Sequence, residues 1–187
     1  MSASRAWPAA VVALVALGVG GCSSDSAGTA ATESVPVLPT APAECTAGAP
    51  VVKADRIQDA IAAVESERGA GQQFFEINAT SLLVNLFVAD TAAGQVVPYV
   101  WVDGALTHDA GSSAQGNTFA PSALDFDPQK VVSCVVAQLP GSSIDAFVIE
   151  GGPEGAVRYT VITTSAQGGQ LVVQVAGDGS VIAVDPN

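Results

Sequence analysis

The chain has 187 residues, six Lys and Arg against eighteen Asp and Glu, a formal net charge of −12, and 49% hydrophobic with 13% charged residues. That length holds one sizeable domain or two small ones. The acidic balance excludes a counterion-releasing basic surface, and with it nucleic acid as a partner; one His and three Cys leave little material for metal or catalytic chemistry.

Residues 1–5 carry one cation, Arg5, and no charge follows until after Ser24, around an apolar core at 9–17. This is the pattern of an export signal. Pro8, the cluster Gly18, Gly20 and Gly21, and a core shorter than the roughly twenty residues that span a bilayer argue against a membrane helix. The next four residues carry a resemblance. Val19-Gly20-Gly21-Cys22 resembles the bacterial lipobox, an aliphatic residue, two small ones and Cys. The resemblance implies that the Cys22 thiol receives a diacylglyceryl group and that cleavage before it removes residues 1–21 as a signal peptide.

Without Arg5 the mature chain has five cations and eighteen acids, a net charge of −13, so it gains nothing electrostatically from an anionic leaflet. Attachment rests on the lipid at Cys22, each buried methylene contributing about 0.8 kcal/mol. The expected location is the extracytoplasmic face of the cell membrane, an oxidising compartment. Residues 22–50, rich in Ser, Ala, Thr and Gly with Pro36, Pro39, Pro42 and Pro50, read as a lipid-anchored flexible tether.

With Cys22 assigned to lipid, Cys45 and Cys134 remain as a pair, and two leftover thiols in an oxidising compartment most often form one disulfide. It would staple the tether to the second helix and close a loop of about 90 residues, worth about 4 kcal/mol in the chain-entropy model. Two buried free thiols are the alternative.

The folded region, 51–187, is read as a pattern written twice. In unit 51–109, Asp55 is the expected helix cap, Ile57, Ala60, Ile61 and Val64 form one helical face, and Gly69 ends it. Strand-like runs follow at 73–78, at 82–89 with Leu82, Val84, Leu86 and Val88 on one face, and at 96–103 with Tyr99 and Trp101 opposite Val100 and Val102. Residues 110–126 read as a loop, with the whole stretch 106–124 irregular and holding the lone His108. In unit 127–187, Asp127 caps and Pro128 opens a helix carrying Val131, Val132, Val135, Val136 and Leu139 until Pro140-Gly141. Runs at 144–150, 157–164, 171–176 and 181–184 follow. The predicted fold class is α+β: two helix-plus-antiparallel-sheet units, helix-strand-strand-strand repeated, with the helices on one face.

The second unit resembles PepSY domains: a helix ending at Pro140-Gly141, a strand, a strand with an aromatic centre at Arg158-Tyr159-Thr160-Val161, and a strand leading into the turn Gly177-Asp178-Gly179 and a last short strand. Two such units in a row are similar to the tandem arrangement of secreted β-lactamase inhibitor proteins, whose concave sheet face grips an enzyme loop. The resemblance implies an extracytoplasmic, non-enzymatic domain that binds or restrains another protein.

The residues leave catalysis little room. His108 with Ser112 and Ser113 lacks a nucleophile elbow. Asp125 and Asp127 are more simply a turn and a cap than a hydrolase pair. Asp103, Asp109, Asp125 and Asp127 match no calcium loop. The expectation is a protein without enzymatic activity, metal or cofactor. Tyr99 and Trp101, with Phe87 or Phe75 from neighbouring strands, are either a core layer under the helices or a binding face for a protein partner in the envelope. A carrier or sensor of a small apolar ligand between helices and sheet is the second functional expectation.

Overall fold

The computed structural model describes Cys45 and residues 51–186; the expected signal peptide, Cys22 and the rest of the expected tether lie outside the described residues. A turn of 3-10 helix, Lys53–Arg56, runs into helix α1, Ile57–Arg68. Ile57, Ala60, Ile61 and Val64 recur every three or four residues and are all buried, so one stripe of the helix meets the core. Gly69, at φ 95°, ends α1, a conformation that side-chain-bearing residues rarely adopt. Asp55 does not cap: it is exposed inside the 3-10 turn, and no side chain caps that turn or α1. Burial of the apolar stripe therefore holds the helix start in place.

Strands β1 (Gln73–Thr80), β2 (Val84–Asp90), β3 (Gln95–Val102), β4 (Ala105–His108) and the two-residue β5 (Ser112–Ser113) follow, then helix α2 (Lys130–Gln138) and strands β6 (Ser142–Gly151), β7 (Val157–Ser165), β8 (Gln170–Val175) and β9 (Val181–Pro186). They form one antiparallel sheet in the order β4-β3-β2-β1-β6-β7-β8-β9, with β5 also on β3. The first strand after each helix, β1 or β6, thus lies at the centre beside the other. Asp127 behaves as expected of a capping residue, its carboxylate accepting the backbone N–H groups of Gln129 at 3.0 Å and Lys130 at 3.1 Å.

Residues directly opposite in an antiparallel pair share a face, so the register traces a single buried layer. Tyr99, Leu86, Ile77, Ile149, Tyr159 and Val175 lie in one row across six strands; Trp101, Val84, Ala79, Phe147, Val161 and Val173 form the next. Both helices pack on that side, and the buried residues make one core. Bulges after Phe74 in β1 and after Ile144 in β6 each insert one residue, which keeps Phe74 and Ile144 on the core side despite the shifted alternation.

Two expectations are corrected. Leu82 does not belong to the apolar face of β2: it is 73% exposed in a turn, where the Thr80 hydroxyl accepts the N–H groups of Leu82 and Leu83 at 3.2 Å, a local bond that competes with the strand. Nor is 106–124 irregular throughout. The turn Asp103-Gly104, with φ of 45° and 97°, suits a tight hairpin and returns the chain as β4.

The residues after β4 then cross the strand ends to reach α2 on the far half, a path of about 29 Å at ~4.8 Å per strand. This crossing segment is tied by backbone bonds: Ala114 N–H to Gly94 at 3.2 Å, Phe74 and Phe119 reciprocally at 2.9 Å, and Asp127 N–H to Gly177 at 2.9 Å. Cys134 of α2 is bonded to Cys45, with Cα atoms 5.0 Å apart and a sequence separation of 89.

Candidate functional site

The aromatics expected to share one face are split by register. Tyr99 is opposite Leu86 and looks into the core, 2% exposed, as does Trp101 at 3%; Phe87 is opposite Pro98 and faces the other side. Strand alternation tells which residues of one strand share a face, but only the pairing tells which face of the next strand they join. Tyr99 and Trp101 are therefore core, with the Tyr99 hydroxyl donating to Glu67 at 3.1 Å and Arg56 placed 5.8 Å over the Trp101 ring.

The lone imidazole follows Tyr99. His108 is opposite Tyr99 in register, with ring centroids 5.0 Å apart, and its Nε2 is 3.8 Å from Glu67. Ser112 pairs with Val96, three residues further along β3 from Tyr99, roughly 10 Å away at strand rise. The pairing thus places Ser112 and Ser113 away from the imidazole, opposite Val96 and Gln95. Among the described residues no three His, Cys, Asp or Glu side chains gather as a metal set.

The face opposite the helices is different in character, since no described element lies over it. Its apolar members, Phe87, Pro98, Val100, Val148, Ile162 and Val172, are half-buried by one another. Across its centre runs a polar row that the sequence reading missed: Phe87 and Glu76 are opposite on β2 and β1, Glu76 and Glu150 on β1 and β6, Glu150 and Arg158 on β6 and β7. Burial raises the Glu76 carboxyl above its ordinary range and the neighbouring Glu150 raises it further, against a lowering hydrogen bond from Asn78. Arg158 approaches Glu150 at 3.9 Å. Asn78 lies in the next row, and its Oδ1 is buried with no hydrogen-bond partner among the described residues. Beside the start of β7 and the end of β8 lies a groove of about 250 Å³, lined by Glu150, Arg158, Thr160 and Gln174 of this face and by Tyr159 and Val175 of the core row. The signal was present in the strand patterns, because Glu76, Asn78, Val148, Glu150 and Thr160 alternate with the apolar core positions; without the register they could not be joined into one surface.

No known family model matches the chain, and no curated protein matches it. One solved structure resembles it: a candidate lipoprotein from Clostridium difficile 630, 10% identical, with a TM-score of 0.50 over 70% of this chain and 92% of that one. At that identity the likeness concerns the fold. Among the described residues no helix is long and apolar enough to cross a membrane.

Proposed function

We propose that this chain is a lipoprotein, held through Cys22 on the extracytoplasmic face of the cell membrane, whose domain binds or inhibits another protein without catalysing a reaction. The anchor reading rests on Val19-Gly20-Gly21-Cys22 behind an export signal, and a neighbour in fold is itself described as a candidate lipoprotein. The two halves are read as two PepSY-like units, in keeping with β1 and β6 side by side at the sheet centre.

The observation that carries the binding reading is the uncovered sheet face, where half-buried apolar side chains from β2, β3, β6, β7 and β8 meet solvent with no described layer above them. Apolar side chains interrupted by a charged row across the centre match the mixed apolar and polar make-up of protein recognition surfaces. The groove at the edge of this face carries Glu150, Arg158 and Gln174 in its lining, charged and polar groups that suit a protein surface better than the purely apolar ligand of a carrier.

The test is a photo-crosslinking amino acid placed in the full-length chain at Val148, on the open face, or at Val136, which is 41% exposed on α2. Adducts to one protein from position 148 and not from 136 are expected. Adducts from 136 alone, or from neither site, would overturn the reading.

A further inference from the structure

The distribution of charge between the two sides of the sheet specifies the partner. The described chain has five cations, and four belong to the helical layer, each beside an acid: Lys53 with Asp103, Arg56 with Asp59 at 3.1 Å, Arg68 with Asp90 at 3.7 Å and Lys130 with Asp127 at 4.0 Å. The open face keeps only Arg158. Against it stand Glu76 and Glu150 at the centre, Asp145 in the β6 bulge bonded to Thr164 at 2.6 Å, and Asp185 of β9 opposite Val172. Four carboxylates and one guanidinium thus share a surface whose other side chains are a mixture of apolar groups, such as Phe87, Pro98 and Val148, and uncharged polar ones, such as Asn78, Asn85 and Gln174.

Resting on the reading that this face is the docking site, we propose that its occupant is a protein segment presenting an Arg or Lys among apolar side chains, the cation seated over Glu76 and Glu150 and the apolar groups over Phe87, Pro98 and Val148. Charge complementarity selects this occupant. An anionic lipid surface or a second copy of this face would bring negative charge onto negative charge. The guanidinium has donors in several directions and no acceptor, and so suits two neighbouring carboxylates together.

The cross-linker at position 148 of the full-length chain also tests this proposal, with the cross-linked partner peptide sequenced. The expected peptide contains Arg or Lys next to apolar residues. Once the partner is known, Glu76→Gln with Glu150→Gln should weaken its binding at least 10-fold, and Glu76→Lys with Glu150→Lys should abolish it, with recovery when the partner's cation is changed to Glu. Thermal melts verify that each variant is folded, and the Gln pair keeps the test interpretable if the Lys pair does not fold. A peptide lacking a cation, or unchanged affinity in the folded Gln pair, would overturn the cationic occupant while leaving the face as the docking site. Loss of position-148 adducts altogether would instead remove the underlying reading and the proposal with it.

Discussion

The Tyr159 hydroxyl accepts the backbone N–H of Asp125 at 2.9 Å, fastening the segment that crosses the strand ends to β7, one of the strands it crosses. Gly177, just beyond β8, lies so close to the Asp125 carbonyl oxygen that a Cβ on it would overlap that oxygen. Tyr159→Phe should therefore cost about 1 kcal/mol, the worth of a partly exposed neutral hydrogen bond. Gly177→Ala should cost more, about 2 to 3 kcal/mol, because backbone has to move. Equilibrium unfolding in denaturant checks both, and the reverse ranking would mean that the crossing segment is held elsewhere.

That segment illustrates what the sequence could not disclose. Its ties are backbone bonds to Gly94, Phe74 and Gly177, the Tyr159 hydroxyl, and the separate apolar anchors Phe119, Leu124 and Phe126, whose spacing follows neither a helix nor a strand period. By contrast the α1 stripe of Ile57, Ala60, Ile61 and Val64 was readable, since the 3.6-residue period alone puts those side chains together. The existence of β1 to β3 and β6 to β9 was equally readable, but β4, β5 and the facing of Phe87 were not: a one-residue difference in pairing exchanges the two faces of a strand. The acidic row escaped for the same reason, because Glu76 and Glu150 are 74 positions apart in number and become neighbours only through the β1–β6 register.

Cys45→Ser, Cys134→Ala and the double variant should each lose about 4 kcal/mol of stability, as the bond closes a loop with a separation of 89 residues. The three losses should agree within ~1 kcal/mol, apart from small repacking at buried Cys134. Denaturant midpoints with and without reductant provide the measurement; a wild type insensitive to reductant would show that the bond contributes nothing.

Trp101→Ala should cost about 3 to 5 kcal/mol, the range for emptying a buried aromatic site, because the ring is 3% exposed with Arg56 of the 3-10 turn 5.8 Å over it. His108→Ala should cost less than about 1 kcal/mol: the imidazole is half exposed and its approach to Glu67 is 3.8 Å. Thermal melts of the two variants side by side decide this, and equal losses would contradict the core assignment of Trp101.

Cys22→Ala should move the protein from the membrane fraction to the soluble envelope fraction, or leave a heavier precursor. Metabolic labelling with a radioactive fatty acid should mark the wild type and not the variant. Label retained by Cys22→Ala would reject the proposed lipid anchor.

Glu76→Gln should raise stability near neutral pH. Its carboxyl is held above the ordinary value, chiefly by burial and then by repulsion from Glu150, with Asn78 opposing. Phe87 on β2 supplies apolar cover at the opposite position, and Arg158 lies beyond Glu150 on β7. A raised folded-state pKa means that the native chain binds the proton more tightly than the unfolded chain does. The resulting stabilisation is fully present below the unfolded value, about 4.3, and is lost as pH rises through the folded one. Above that window the charged carboxylate burdens the native state, and Gln, which is nearly isosteric and uncharged, removes the burden. The melting temperature of Glu76→Gln should exceed that of the wild type at pH 7, and the difference should shrink as pH falls toward 4. Glu150→Gln should act in the same direction by removing the repulsion, less the loss of its approach to Arg158. Melts of both variants across pH 3.5 to 8 measure the effect, and a Glu76→Gln variant less stable than wild type at pH 7 would show that an attraction, not burial and repulsion, governs this carboxylate.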